Sequence, residues 1–350
     1  MKSSIKPRML LVDSLVSSEG VGVKTFGQLL TSQLLRNGYS VTATSYFRNK
    51  LLRLIDITLT IILNRKKTDA LIIQVYSGLN FFITDISSLL GQLLGIPAIF
   101  HFHGGNISDF IKKHPKWSFR VLNRAKYSIT PSEYLKTSLE QNGVKVTIIP
   151  NYINIEAYPF VPRTKTEPKL VWLRSFHQIY NPTLAIHTLN LLRREYPKIY
   201  LNMAGMDKGD GSLQKTQVLI HTLGLSDNIN ISSQIKKSEV PTFLDRGDIY
   251  LNTTNIDNTP ITVLEAMACG LCIVSTNVGG ISYLLEDGVD ALLVPSNDVE
   301  SMTSAIKLIL KEPELAETLS RNARKKAELI DWSNVLPLWE NLFQDVLHHK

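Results

Sequence analysis

Short apolar runs alternate with longer segments of helical spacing through the first part of the chain. The run MLLVDSL leads into the glycine-containing loop SSEGVGVKT, and FGQLLTSQLLRNG then shows a helical periodicity that ends at Gly38. The strand-like run YSVTATSYF follows, and the same alternation continues to about Asn151. Strand, loop, helix and strand in this order make the βαβ unit of a parallel sheet.

A second alternating series begins after a break in composition. Residues 156–169 contain three prolines and little periodicity, so they are predicted to be an interdomain linker. The series then runs from LVWLRS to DALLVP and ends in helical segments, the last of them kinked or restarted at Pro337, with Trp332 and Trp339 in the core. We predict an α/β protein of two doubly wound, Rossmann-like domains, in which ligands lie beyond the carboxyl ends of the strands.

The apolar segments are too short to span a membrane. LLRLIDITLTIIL is broken by Arg53 and Asp56 and indicates an amphipathic core helix. No stretch reaches the roughly 18 apolar residues that a transmembrane helix needs, and the first residues lack the apolar region of a secretory signal. We therefore expect a cytoplasmic protein.

Positive charge is concentrated in the first half of the chain. The whole chain has a net charge of +7, but residues 1–165 carry 21 lysines and arginines against 9 acidic residues, and residues 166–350 carry 17 against 22. The excess lies mainly in residues 65–67 and 111–126. This asymmetry favours an anionic partner such as a membrane face, and a solvated basic surface is the alternative. No recognisable nucleic-acid-binding module accompanies the charge, so we expect no nucleic-acid partner.

The segment from Asp257 to Gly280 carries the most chemical information. Two carboxylates, Asp257 and Glu265, lie around a predicted helix start, for which Thr259 is a suitable N-cap and Pro260 a suitable first residue. Free N–H groups at such a start favour a diphosphate, and a carboxylate in the second turn can accept hydrogen bonds from sugar hydroxyls. The segment therefore indicates nucleotide-sugar binding.

The chain resembles the retaining family-4 glycosyltransferases of the GT-B fold over nearly its whole length. The most specific part is PITVLEAMACGLCIVSTNVGGISYLLEDGVDALLVP. The resemblance implies two Rossmann-like domains that face a cleft, with a C-terminal helix that crosses back to the first. It places an acceptor-side domain at residues 1–160 together with 331–350, and a nucleotide-sugar donor domain at residues 166–330.

The resemblance also assigns roles in the donor domain. Glu265 is expected to hold the ribose hydroxyls, and Asp257, which stands where the family has a glutamate, to contact the donor sugar. The Asp side chain is one methylene shorter, which reduces its reach. The other expected donor contacts are Gly205, Ile235, Thr259, Pro260 and Ile261.

The motif that supplies cations to the leaving diphosphate departs from the family pattern. Arg174 is kept, but Leu173 replaces the usual glycine, and Ile179 and Tyr180 stand where a lysine is expected. Fixed cations stabilise the negative charge that develops on a departing diphosphate, so the loss weakens catalysis unless another group compensates. The candidates for the missing charge are His177, Lys208 and Lys236.

In the first domain, two features resemble the family. Gly20 and Gly22 lie in a loop like the family's glycine-rich loop near the donor diphosphate or the acceptor. His103 precedes Gly104 after a strand, as in the family's His-Gly pair, and is expected to contact the transferred sugar, whereas His101 is expected to be structural.

The resulting prediction is a retaining, metal-independent hexosyltransferase with catalytic residues His103, Arg174 and Asp257. Its donor is a nucleotide-diphosphate sugar, no cofactor is expected, and the acceptor is a glycan, a lipid-linked molecule or a small molecule, as in polysaccharide biosynthesis. A nucleotide-sugar epimerase of the same architecture and a non-catalytic nucleotide-sugar-binding subunit are the alternatives. The pair Cys269 and Cys272 has no second metal-binding pair and is predicted to be structural. The basic half suggests peripheral attachment to the inner membrane face.

Overall fold

The computed structural model describes residues 6–15, 25–103 and 106–348. The chain forms two compact units: Met1–Pro150 with Leu336–Lys350, and Asn151–Val335. Each unit contains a six-stranded sheet in which every described strand pair is parallel. The predicted sites Gly20 and Gly22 lie outside the described residues.

The sheet of the first unit has the strand order β2-β1-β3-β4-β5-β6. The strands are β1 (Arg8–Val12), β2 (Ser40–Thr44), β3 (Ala70–Val75), β4 (Ala98–Phe102), β5 (Ala125–Thr130) and β6 (Thr147–Ile148). Because β1 pairs with β2 on one side and β3 on the other, the winding direction reverses between β1 and β3. Ligands of doubly wound sheets bind at the carboxyl end of such a switch point.

Side-chain caps fix the starts of several helices in this unit. Thr25 and Gln28 form a reciprocal capping box, and Asn49 and Ser132 accept hydrogen bonds from the first turns that they precede. The helices are α1 (Phe26–Arg36), α2 (Lys50–Asn64), α3 (Phe81–Leu94), α4 (Ile107–Lys113), α5 (Pro115–Leu122) and α6 (Glu133–Glu140).

The sheet of the second unit has the order β12-β11-β10-β7-β8-β9, the strand order of a dinucleotide-binding fold. Its strands are β7 (Lys169–Leu173), β8 (Tyr200–Ala204), β9 (Ile229–Ser232), β10 (Ile249–Asn252), β11 (Cys272–Thr276) and β12 (Leu292–Val294). Its helices are α7 (Pro182–Leu192), α8 (Ser212–Thr222), α9 (Val240–Leu244), α10 (Ile261–Cys269), α11 (Ile281–Leu284), α12 (Val299–Lys311) and α13 (Pro313–Leu329). The switch point lies between β7 and β10.

Two local predictions are corrected in part. For Pro337 the sequence predicts a kink or a restart, and the structure excludes the restart: the last helix, α14 (Trp332–His348), continues through the proline because buried Trp339 and Phe343 outweigh one lost backbone hydrogen bond. The proline-rich segment at 156–169 is not a bare linker, since Tyr158 and Arg163 are buried in the second unit.

The predicted core positions of the tryptophans are confirmed, because Trp332 and Trp339 are both buried. Within the described residues, no helix is both long enough and apolar enough to cross a bilayer.

Candidate functional site

Four predicted site residues of the second unit lie at one edge of its sheet. Arg174 directly follows β7, Gly205 directly follows β8, and Asp257 lies in the loop after β10. Glu265 is on α10, the helix that directly follows this loop. Since β7 and β10 flank the switch point, Arg174 and Asp257 come from its two sides. The topology therefore brings them together at the position where such sheets bind ligands.

Arg174 and Asp257 form a close, largely buried ion pair. Nη2 of Arg174 lies 2.5 Å from Oδ2 of Asp257, and Nη1 lies 3.4 Å from Oγ1 of Thr262. Burial raises the pKa of Asp257, while the guanidinium and the backbone N–H of Asn258 act in the opposite direction. The pair presents a cation and a carboxylate side by side.

Tyr180 contacts Arg174 directly. The guanidinium carbon lies 4.0 Å from the centroid of the Tyr180 ring, which is cation–π geometry. Tyr180, one of the two residues that stand where a lysine is expected, therefore holds the planar fork of Arg174 but adds no charge. Among the suggested substitutes, His177 lies 3.7 Å from Asp210 and accepts a hydrogen bond from Ile179. Lys208 and Lys236 are exposed.

Glycines allow the loops of this edge to approach one another closely. A Cβ on Gly205 would lie 1.7 Å from the carbonyl oxygen of Arg174. A Cβ on Gly279 would lie 2.3 Å from the carbonyl oxygen of Asp257, and one on Gly280 would lie 2.1 Å from that of Asn258. The glycine pair after β11 thus supports the loop that carries Asp257.

We expect Gly205→Ala to destabilise the protein by about 1–3 kcal/mol, because the new methyl group overlaps backbone atoms that cannot rotate away. Thermal unfolding measures the loss. Gly209→Asn is the control, since Gly209 has a positive φ with open space around it and asparagine tolerates that conformation. Equal melting temperatures for Gly205→Ala and the wild type would contradict the close contact.

Glu265 lies in the second turn of α10, as predicted, and is buried. Its Oε1 accepts a hydrogen bond from the Tyr158 hydroxyl at 2.6 Å and also contacts Nζ of Lys237. Burial, together with the Glu265 carboxylate, raises the pKa of Tyr158. Neither partner was predicted from the sequence. Lys237 could have been found, because it adjoins the candidate cation Lys236, whereas no local motif points to Tyr158.

The start of α10 differs from the prediction. The helix begins at Ile261 with Pro260 as its N-cap residue, so Thr259 lies before the cap, and no side chain caps this end. Pro260 has φ −69° and ψ 117°, and this extended ψ keeps it out of the first turn. Ile235 lies in the loop after β9 and packs, partly buried, against the core cluster that contains Leu264 and Met267.

In the first unit, His103 lies at the carboxyl end of β4. Its Nε2 contacts Oε1 of Gln74, and its ring lies 5.8 Å from that of Tyr76 between centroids. Burial lowers the pKa of His103 to about 3, so the imidazole is neutral at physiological pH. His101 is fully buried, 5.5 Å from Trp339 between ring centroids, which is a structural environment.

Cys269 and Cys272 are free and buried. Burial raises the pKa of both thiols to about 12, so they stay protonated. Across the part of the chain that the structure describes, no cluster of three or more histidine, cysteine or acidic side chains has the geometry to hold a metal ion.

Family models match both halves of the chain. The model of the glycosyl transferases group 1 matches residues 154–326, and that of Glycosyltransferase Family 4 matches residues 31–157. A curated relative, the alpha-D-kanosaminyltransferase of Streptomyces kanamyceticus, is 22% identical over 67% of both chains. The D-inositol 3-phosphate glycosyltransferase of Saccharomonospora viridis is 26% identical over 46% of this chain and 38% of its own length. The chain thus spans well under half of that second relative.

Solved structures with the same fold extend over nearly the whole chain. Sucrose-phosphate synthase from Thermosynechococcus elongatus superposes with a TM-score of 0.80 at 15% identity, covering 99% of this chain and 100% of that one. HepE from Anabaena, in complex with UDP, has a TM-score of 0.76 at 15% identity, with 96% and 99% covered. Since the two family models together match residues 31–326, in the order that the fold requires, the chain belongs to the group 1, family 4 glycosyltransferases of the GT-B fold.

Proposed function

We propose that this glycosyltransferase moves a hexose-type sugar, with retention and without a metal ion, from a nucleotide-diphosphate sugar to a glycan, lipid-linked or small-molecule acceptor. The observation that carries the proposal is the buried Arg174–Asp257 pair at the switch point, next to the uncapped start of α10. HepE, whose structure contains UDP, supports a uridine nucleotide as the first donor to test. The biological setting that we propose is polysaccharide biosynthesis.

In this proposal Glu265 binds the ribose. Its carboxylate is buried, while the side chain of Lys237, which contacts it, is 40% exposed. Lys237 is therefore free to move outward when ribose hydroxyls replace it as donors to Glu265. The Tyr158 hydroxyl remains as the fixed partner that orients the carboxylate.

Arg174 stabilises the departing diphosphate. Its guanidinium can give two parallel hydrogen bonds to phosphate oxygens, and stacking on Tyr180 holds the plane of the fork. The dipole of α10 adds partial positive charge at its uncapped end. These groups take the place of a divalent cation, so we expect transfer to continue in excess chelator, as measured by release of the nucleoside diphosphate.

Asp257 and His103 contact the transferred sugar in the proposed complex. Asp257 is held by Arg174, and the neutral imidazole of His103 is a hydrogen-bonding group rather than a charge. Retention implies attack on the face from which the diphosphate leaves, so a diphosphate oxygen accepts the proton of the acceptor hydroxyl. No protein side chain is then needed as the general base.

A thermal-shift screen against UDP, GDP, ADP and their sugars tests the proposal. A nucleotide present at about 100 times its dissociation constant stabilises the folded protein by about 2.7 kcal/mol, which is easily measured. We expect one nucleotide family to stabilise the protein and its sugar to be consumed only when an acceptor is supplied. Absence of stabilisation by every nucleotide would contradict the proposal.

Two other outcomes point to different functions. Conversion of the nucleotide sugar without an acceptor would identify an epimerase. Binding without transfer or hydrolysis would identify a non-catalytic subunit, which the exchange of the family lysine for Ile179 and Tyr180 makes the second candidate.

We also propose a cytoplasmic enzyme that attaches peripherally to the inner membrane face. The support is the charge asymmetry: residues 1–165 carry 21 lysines and arginines against 9 acidic residues, and each basic residue contributes about 1 kcal/mol near an anionic surface. No nucleic-acid partner is proposed.

A further inference from the structure

Helix α2 (Lys50–Asn64) has two apolar faces. Ile57 and Ile61 are fully buried and belong to the core of the first unit, as the predicted core helix requires. Six further leucine and isoleucine side chains of the same helix are exposed. They are Leu51, Leu52, Ile55, Leu59, Ile62 and Leu63.

The six exposed residues, here called the α2 stripe, lie on one side of the helix. At 100° per residue they fill an arc about 120° wide, centred opposite Ile57. Asp56 and Thr58 stand at the two borders of the arc. Leu51 and Leu63, at the two ends of the stripe, are 73% and 78% exposed. A helix that is apolar on two opposite sides needs a second apolar environment besides its own core.

Cations flank the α2 stripe along the chain at both ends. Arg48 and Lys50 are exposed at the start of the helix, and Arg65, Lys66 and Lys67 are exposed directly after it. The aromatic side chains of Tyr46 and Phe47 also lie exposed just before the helix. An apolar arc between basic ends, with aromatic residues at one of them, is the composition of helices that lie in a membrane interface.

The neighbouring helix α3 (Phe81–Leu94), which packs against α2, extends the exposed apolar area. Phe82, Leu89 and Leu93 are exposed at spacings of seven and four residues, so they lie on one face of that helix. Two packed helices with outward apolar faces expose more contiguous apolar area than the single scattered leucines of an ordinary protein surface.

We propose that the α2 stripe inserts into the interfacial region of an anionic lipid bilayer, with α2 lying parallel to the membrane. The helix is about 22 Å long, too short to span the hydrocarbon core but sufficient to lie in the interface. Its terminal cations are then at the level of the lipid phosphates, while the stripe contacts the acyl chains. The inference deepens the membrane docking within the proposed function and rests on it.

Charge favours a bilayer over a second copy of the chain. In a symmetric dimer formed through the stripe, the basic ends of the two α2 helices would lie close to one another and repel. A bilayer that contains anionic lipid supplies the opposite charge at these ends and the apolar surface between them.

Vesicle co-sedimentation with matched variants tests the proposal. The stripe variant is Leu51→Gln with Leu63→Gln, and the control is Val218→Gln with Leu329→Gln, two exposed apolar residues of the second unit. We expect the wild type and the control to bind vesicles of phosphatidylglycerol and phosphatidylcholine equally. The stripe variant should partition about tenfold or more weakly, because it loses two apolar side chains that enter the membrane. The triple variant R65Q/K66Q/K67Q should bind more weakly at low salt.

Other results would overturn the inference in distinguishable ways. If the stripe variant binds vesicles as strongly as the wild type, and salt abolishes this binding, the protein docks by charge alone and the stripe does not insert. No binding of the wild type to anionic vesicles would remove docking altogether. Light scattering that shows a dimer in the wild type and a monomer in the stripe variant would assign the stripe to self-association. The thermal shift with nucleotides, measured on every variant, reports the donor site separately.

Discussion

Replacing Arg174 with lysine is expected to lower kcat for sugar transfer by about 100-fold. Lysine keeps a positive charge beside Asp257, so the fold is retained. It loses the planar fork that binds two phosphate oxygens and the stacking on Tyr180. The rate is measured as nucleoside diphosphate released from the donor that the thermal-shift screen identifies. Donor affinity, measured by the same thermal-shift assay, should change much less than the rate.

The control for Arg174→Lys is Arg193→Lys. Arg193 belongs to the same unit and donates a hydrogen bond to the carbonyl of Gly224, away from the proposed donor site. Tyr180→Phe should keep the rate, whereas Tyr180→Leu, which removes the aromatic face, should lower it by about threefold to tenfold. A wild-type rate for Arg174→Lys would show that the fork does not act on the leaving group.

The two doubly wound sheets could be predicted from the sequence because both signals are local. Apolar runs such as MLLVDSL, alternating with helical periodicity, indicate βαβ units in any context. Their parallel pairing then places the residues that follow each strand at one edge. The assignment of Arg174, Gly205 and Asp257 to one site came from the family resemblance, and the parallel pairing explains why the three residues lie at the same edge.

The contacts that complete the site depend on distant parts of the chain. Tyr158 reaches Glu265 from 107 positions away, in a segment whose prolines indicated a linker. Hydrophobic periodicity reports local secondary structure and does not indicate which distant residues contact each other. The α2 stripe was missed for a different reason: its apolar residues indicate a buried helix equally well, and only the observed exposure separates its two faces.

Glu265→Ala is expected to remove the thermal stabilisation by UDP, or by whichever nucleotide the screen identifies. The carboxylate is the proposed acceptor for both ribose hydroxyls, and a site built around such an acceptor loses much of its affinity without it. The same substitution also leaves the buried Tyr158 hydroxyl without its acceptor, at a cost of about 1–3 kcal/mol in the free energy of unfolding. Lower stability alone therefore does not identify a ribose contact.

The double variant Glu265→Ala/Tyr158→Phe separates binding from stability. Removing both partners of a buried hydrogen bond costs less than removing one, so the double variant should be more stable than Glu265→Ala. It should still fail to bind the nucleotide, since the ribose acceptor is absent, whereas Tyr158→Phe alone should bind it. Isothermal titration calorimetry on the three variants measures the affinities directly. If the double variant binds the nucleotide as tightly as the wild type, Glu265 is a structural carboxylate held by Tyr158 and Lys237, and the ribose is bound elsewhere.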